Sequence, residues 1–226
     1  GFVVGDIPAW MGGVGWHSRP TDLQDLVAIA ERWLDMVFTP AVRQAAQGKT
    51  DALTIGIDLV GQGVHAELVA VIDLQSNAKV HWTGKSYPTT EQQEQLVQVV
   101  DLSTHFVEIA GERVLVLGCH DLYMFSTRAQ ANQSPTGPRR QRCELMRQLT
   151  VAFKPSLVLH HAHNTDTHRS WFQPWLQLLT RCPSIRSWAT AIAYHRPYGS
   201  ERESLLAVRT GTASNTSVKD VVVAAK

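Results

Sequence analysis

Between positions 23 and 37 the apolar residues Leu23, Leu26, Val27, Ile29, Ala30, Trp33, Leu34 and Val37 recur at helical spacing. The pattern predicts a long amphipathic helix, capped by Thr21 or Asp22 and broken near Pro40. Ahead of it, "GFVVGDIPAWMGGVGWHSRP" sets a brief apolar run before glycines, prolines and two tryptophans, and predicts a short strand followed by irregular chain. Beyond residue 50 the period changes. "LTIGIDLV", "HAELVAVIDL" and "AKVHWTGKSY" are candidate strands separated by "GQG" and "QSN", connections short enough for hairpins, so an antiparallel meander is expected.

After Pro88, "TTEQQEQLVQVVDLSTHFVEIAG" carries early acidic residues, an apolar face through Leu96, Val99, Val100 and Val107, and a terminal glycine, which together predict a helix. Apolar runs then alternate with helical segments: "RVLVLG", "RRQRCELMRQLTVAF", "PSLVLHH" and "SWFQPWLQLLTRC", repeated more weakly by "RSWATAIAY", "SERESLLAVRT" and "VKDVVVA". Continuous apolar strands joined by helices imply a buried parallel arrangement. The expected fold is therefore α/β, a mixed sheet in which an antiparallel meander is followed by parallel strands with flanking helices. It reads as one domain over 1–226, with 1–50 a helical extension and 51–226 the core.

Composition narrows the function without naming it. The 226 residues are 44% hydrophobic and carry a formal charge of +1, so no global field recruits nucleic acid or an anionic membrane, and anion binding must be local. Three scattered cysteines, Cys119, Cys143 and Cys182, fit a reducing compartment better than a disulfide framework, and a cytoplasmic protein is expected. No apolar run approaches the ~20 residues that span a bilayer, and no membrane partner or secretory signal is expected. The chain opens on Gly1, as a processed chain or a piece of a longer one would. Seven tryptophans leave room for an oligomer surface.

The chemistry gathers where predicted strands end, the place at which open α/β sheets bind ligands. "TIGID" ends in Asp58, "RVLVLGCHD" in His120 and Asp121, and "LVLHHAHNTDTH" in His160, His161, His163, Asp166 and His168. Crowded imidazoles and carboxylates are costly unless paired or metal-bound. The expected metal ligands are Asp58, His120, Asp121, His161, His163, Asp166 and His168, holding a divalent ion such as Zn, Mn or Mg, with His120, Asp121, His161 and His163 catalytic. Asp166 also suits a helix N-cap. The loop "STRAQANQSPTGPRRQR" brings Arg128, Arg139, Arg140 and Arg142 to the same region. Cations at a helix start oppose the helix dipole, an oddity resolved if an external anion sits there, so these arginines are expected to grip phosphate.

The order of three meandering strands, helix, strand, helix, strand, helix resembles the ribonuclease H-like fold over roughly residues 54–182. The resemblance implies that the first and fourth strands are neighbours and that Asp58 lies beside Asp121, as in two-metal nucleases, with Glu91 and Glu94 as further acidic candidates. "HAHNTD" is similar, one residue out of register, to the His-x-His-x-Asp-His turn of metallo-β-lactamase-like hydrolases. The leading expectation is a metal-dependent hydrolase of phosphoester bonds, a nuclease or phosphodiesterase acting on nucleic acid or a nucleotide. A non-catalytic α/β sensor of an anionic, nucleotide-like ligand is the alternative. A third reading is a metal-free hydrolase using Cys119 or a serine such as Ser126.

Overall fold

A computed structural model of the chain describes residues 2–4, 22–61, 64–76, 80–89, 92, 95–127, 137–162 and 168–192. The strands divide into two four-stranded sheets. The first holds β1 (Phe2–Val4), β2 (Ala52–Gly61), β3 (Val64–Asp73) and β4 (His81–Gly84) in that order, β1 parallel to β2 and the rest antiparallel. The second orders β5 (Phe106–Ile109), β6 (Glu112–Leu117), β7 (Leu157–Ala162) and β8 (Ser187–Ile192), with β5 antiparallel to β6 and the last three strands parallel. The expected antiparallel beginning and parallel end are both present, on separate sheets. In the ribonuclease H-like arrangement β2 and β6 would be hydrogen-bonded neighbours; here β2 pairs with β1 and β3, and β6 with β5 and β7.

Alternation along each strand explains the layering, because successive side chains leave a strand on opposite faces. On β3, Leu68, Ala70 and Ile72 pack with Leu26, Ile29, Ala30 and Leu34 of α1 (Leu23–Val37), while Val69 and Val71 turn toward Val114 and Val116 of β6 and Leu157 and Leu159 of β7. On β6, Leu115 and Leu117 face the other way, into a core with Cys143 and Met146 of α3 (Pro138–Phe153) and Trp175 and Leu178 of α4 (His168–Arg181). The result is a four-layer sandwich: helix, sheet, sheet, helices. Both faces of the central strands are covered, which is why they read as continuous apolar runs. The helix α1 supplies one of the four layers, and α2 (Pro40–Ala46) follows it behind the Pro40 break.

The segment after Pro88 differs from the expected helix. Leu96 makes a bridge to His65 beside β3, with Val97 N–H donating to His65 O at 2.8 Å and His65 N–H to Gln95 O at 3.0 Å. A single 3-10 turn follows at Leu102–His105, and then comes β5. Backbone partners on β3 outcompete helical hydrogen bonds here, and the β-branched run Val97, Val99, Val100 is at ease in extended chain. Glu91 and Glu94 lie outside the described residues.

Candidate functional site

At one end of the sandwich the exits of β4 and β6 meet. The meeting is close because Gly118, which follows β6, has no side chain: a Cβ there would stand 2.9 Å from the N and Cα of Lys85 and from Asp121 Oδ2. Asp121 ties the two exits together. Its Oδ1 accepts from Ser86 N at 2.8 Å and Tyr87 N at 2.7 Å, and its Oδ2 accepts from Gly118 N at 2.9 Å. Burial pushes this carboxyl up, against the pull of His105 and the three amides. All three contacts are donors, so the ionised form is the one they suit.

A second buried cluster rests on that frame. Lys85 is 2% exposed, yet its Nζ lies 2.6 Å from Glu67 Oε1 and 2.6 Å from Gln92 Oε1; Glu67 itself is 5% exposed. Gln92 Nε2 donates to Glu67 Oε1 at 3.3 Å, and His65 Nε2 stands 3.5 Å from the same oxygen. On β2, Asp58 is the residue directly across from Glu67. Two acids opposed across strands repel, and burying an ion pair costs several kcal/mol per charge. A fold keeps such a cluster at a cost, so it is the strongest functional feature among the described residues.

Beside it sits the turn that bears Cys119 and His120. Cys119 is partly exposed, whereas Cys143 and Cys182 are buried. The Cys119 carbonyl accepts from His160 Nε2 at 2.8 Å, which pins the turn to β7. His120 is sandwiched between Tyr87, at 5.5 Å between ring centroids, and Tyr123, at 4.5 Å, and its Nδ1 donates to Tyr87 O at 3.2 Å. Burial first, then the charges of Lys85 and Arg139, brings His120 down to about 4, with Glu67 opposing.

The histidine-rich strand end divides. His160 turns toward the helices, with Trp175 edge-on at 5.9 Å, and burial lowers it to about 4. His161 turns between the sheets, its Nε2 2.9 Å from Thr54 Oγ1 on β2, and burial lowers it to about 4 as well. Period-two alternation sends neighbours apart, so His160 and His161 do not share one environment. His163, Asp166 and Arg128 lie outside the described residues, as does the side chain of His168, which opens α4. Among the described residues no three His, Cys, Asp or Glu side chains assemble to hold an ion. The described donors are occupied separately. Asp121 is taken up by amides, Asp58 lies on a strand of the other sheet, and the imidazoles of His120, His160 and His161 serve three separate environments.

Two of the expected arginines reach this end of the molecule. Arg139 Nη2 donates to Pro88 O at 3.0 Å and its guanidinium lies 4.2 Å from the Tyr87 ring centroid; Arg142 Nη2 donates to Val99 O. Arg140 is exposed. Ser126 is buried, and Ser86, although its Oγ is 2.7 Å from His105 Nε2, is fully buried too, with His105 Nδ1 bonded to Val116 O at 2.6 Å. Neither serine can meet a substrate in this arrangement. Glu67, Lys85, Gln92 and His65 were not singled out from the sequence. The signal was present in "HAELVAVIDL", where an acid interrupts an apolar strand at an inward position, but its cation lies eighteen residues on. Compared with family models, with curated proteins and with solved structures, the chain finds no match.

Proposed function

We propose that the chain is a thiol hydrolase of acyl bonds, amides or esters, with Cys119 as the nucleophile. The observation that carries this reading is the buried Lys85–Glu67 ion pair, in which the Lys85 backbone packs against Gly118, the glycine that precedes the partly exposed Cys119. A thiol needs a base to become a thiolate, and the addition it makes needs a cation or N–H donors for the oxyanion. Lys85 is the buried cation at this end, paired with Glu67, and it acts on the oxyanion through its field rather than by contact.

In the proposed reaction the Cys119 sulfur attacks the carbonyl carbon, its proton passes to solvent water, and the carbonyl π pair moves onto oxygen, within the field of the buried Lys85. Collapse expels the amine or alcohol, which takes that proton, and leaves a thioester. Water then adds to the thioester and releases the acid and the thiol. His160 and Asp121 hold the turn in place from either side.

The test is hydrolysis of p-nitrophenyl and anilide esters and amides by wild type, Cys119→Ala and Cys119→Ser, each with and without a chelator. A loss on the order of 10³ in kcat/KM in both variants, with the chelator without effect, supports the reading. Iodoacetamide should modify one cysteine fast, Cys119, in step with inactivation. Turnover that survives Cys119→Ala and disappears with chelator would return the chain to the metal-dependent phosphoester reading.

A further inference from the structure

We infer that Arg139 selects acyl substrates carrying an anionic group, a carboxylate in the first instance, by binding that group beside the Cys119 turn. The inference rests on the thiol hydrolase reading and names its substrate class. Arg139 belongs to a column of planar groups: its guanidinium covers Tyr87, Tyr87 covers His120, and His120 follows Cys119 directly. The column fixes the guanidinium plane relative to the nucleophile's turn. One arm is already engaged, Nη2 on Pro88 O, whereas Nη1 is buried with no acceptor among the described residues. A guanidinium presents its donors as a planar fork, so an unanswered arm beside an engaged one suits the oxygen of a planar oxyanion.

The charges around it point the same way. Lys85 and Arg139 both act on His120 as cations, and the opposing acid, Glu67, is already paired with Lys85. Among the described residues no carboxylate is bonded to Arg139; its partners there are the Pro88 carbonyl and Tyr87. The helix that carries it starts at Gly137 with no side-chain cap and no acidic residue in its first turn, so the helix supplies no acid of its own to offset this charge. Arg140 and Arg142 are less suited: the first is exposed, and the second is committed to Val99 O in the direction of Asp121.

Two measurements test the inference. The first compares kcat/KM for p-nitrophenyl butyrate and for mono-p-nitrophenyl glutarate, which differ by a terminal carboxylate. Wild type should favour the glutarate, and Arg139→Gln should lower the glutarate-to-butyrate ratio about tenfold or more through KM, with Arg139→Lys intermediate, the scale of one charge-assisted hydrogen bond. The second needs no turnover: glutarate and inorganic phosphate are titrated into Cys119→Ala protein and into the Cys119→Ala, Arg139→Gln double variant, followed by thermal shift. Glutarate should stabilise the former and not the latter. Equal stabilisation of both, or an unchanged substrate ratio, overturns the role of Arg139. Stabilisation by phosphate with none by glutarate overturns the carboxylate assignment. If neither ester is turned over in a Cys119-dependent way while glutarate binding still requires Arg139, the thiol hydrolase reading fails and the anion site stands.

Discussion

Two kinds of buried titratable residue carry consequences at the scale of single side chains. His160 and His161 are lowered to about 4 by burial, against about 6.5 in an unfolded chain. Between those values the unfolded state takes up protons that the native state refuses, so stability present above pH 6.5 is lost as pH falls toward 4. Each histidine accounts for about 3 kcal/mol of that loss. Thermal unfolding followed from pH 7 to pH 4 should show Tm falling throughout, and His161→Gln should flatten the slope. The Lys85–Glu67 pair behaves differently. Lys85→Met leaves a buried carboxylate uncompensated and should cost about 3–5 kcal/mol, whereas Glu67→Leu combined with Lys85→Met should recover much of it. Urea unfolding of the two proteins checks this. A double variant that is stable but inactive would separate the pair's role in the reaction from its role in the fold.

At the scale of elements, the β5–β6 hairpin turns on Ala110 and Gly111, both at positive φ, 50° and 77°. Two successive left-handed residues make the tight connection whose twist matches the strands it joins. Only Gly adopts that conformation without cost, so Ala110→Gly should stabilise the protein by about 1 kcal/mol, and Gly111→Ala should destabilise it by a similar amount. Denaturant midpoints at constant m-value measure both. The same hairpin explains the misread element. "VEIAGERV" was legible as a two-residue turn between strands, but an apolar face at helical spacing ran into it from Leu96, and period alone favoured helix over residues that β3 holds extended. The α1, α3 and α4 helices had no such competitor, because each lays one apolar face on a sheet.

At the scale of the molecule, the two sheets meet through Val69, Val71, Val114 and Val116, with the His161–Thr54 contact as a polar link across the layer. Covering both faces of β3 and β6 is what makes their sequences apolar without interruption, and that much was readable: an antiparallel meander, parallel strands, flanking helices, and polar residues collecting where strands end. Periodicity and strand-end chemistry are local properties, and a sequence carries them in full. The number of sheets is not local. A run buried on both sides reads alike whether its neighbours continue one sheet or a second sheet lies across it. The site was decided by the same step. His120 and Asp121 stood out because they adjoin a strand end, yet Asp121 became the clamp between two exits. The charge pair came from Glu67 on β3 and Lys85 just past β4, which the hairpin register brings together, and the close approach at Gly118 sets the Lys85 backbone against the turn that leads into Cys119. Alternation in β7 then sent His160 and His161 to opposite faces, so residues adjacent in the chain serve different layers, and residues far apart in it share one site.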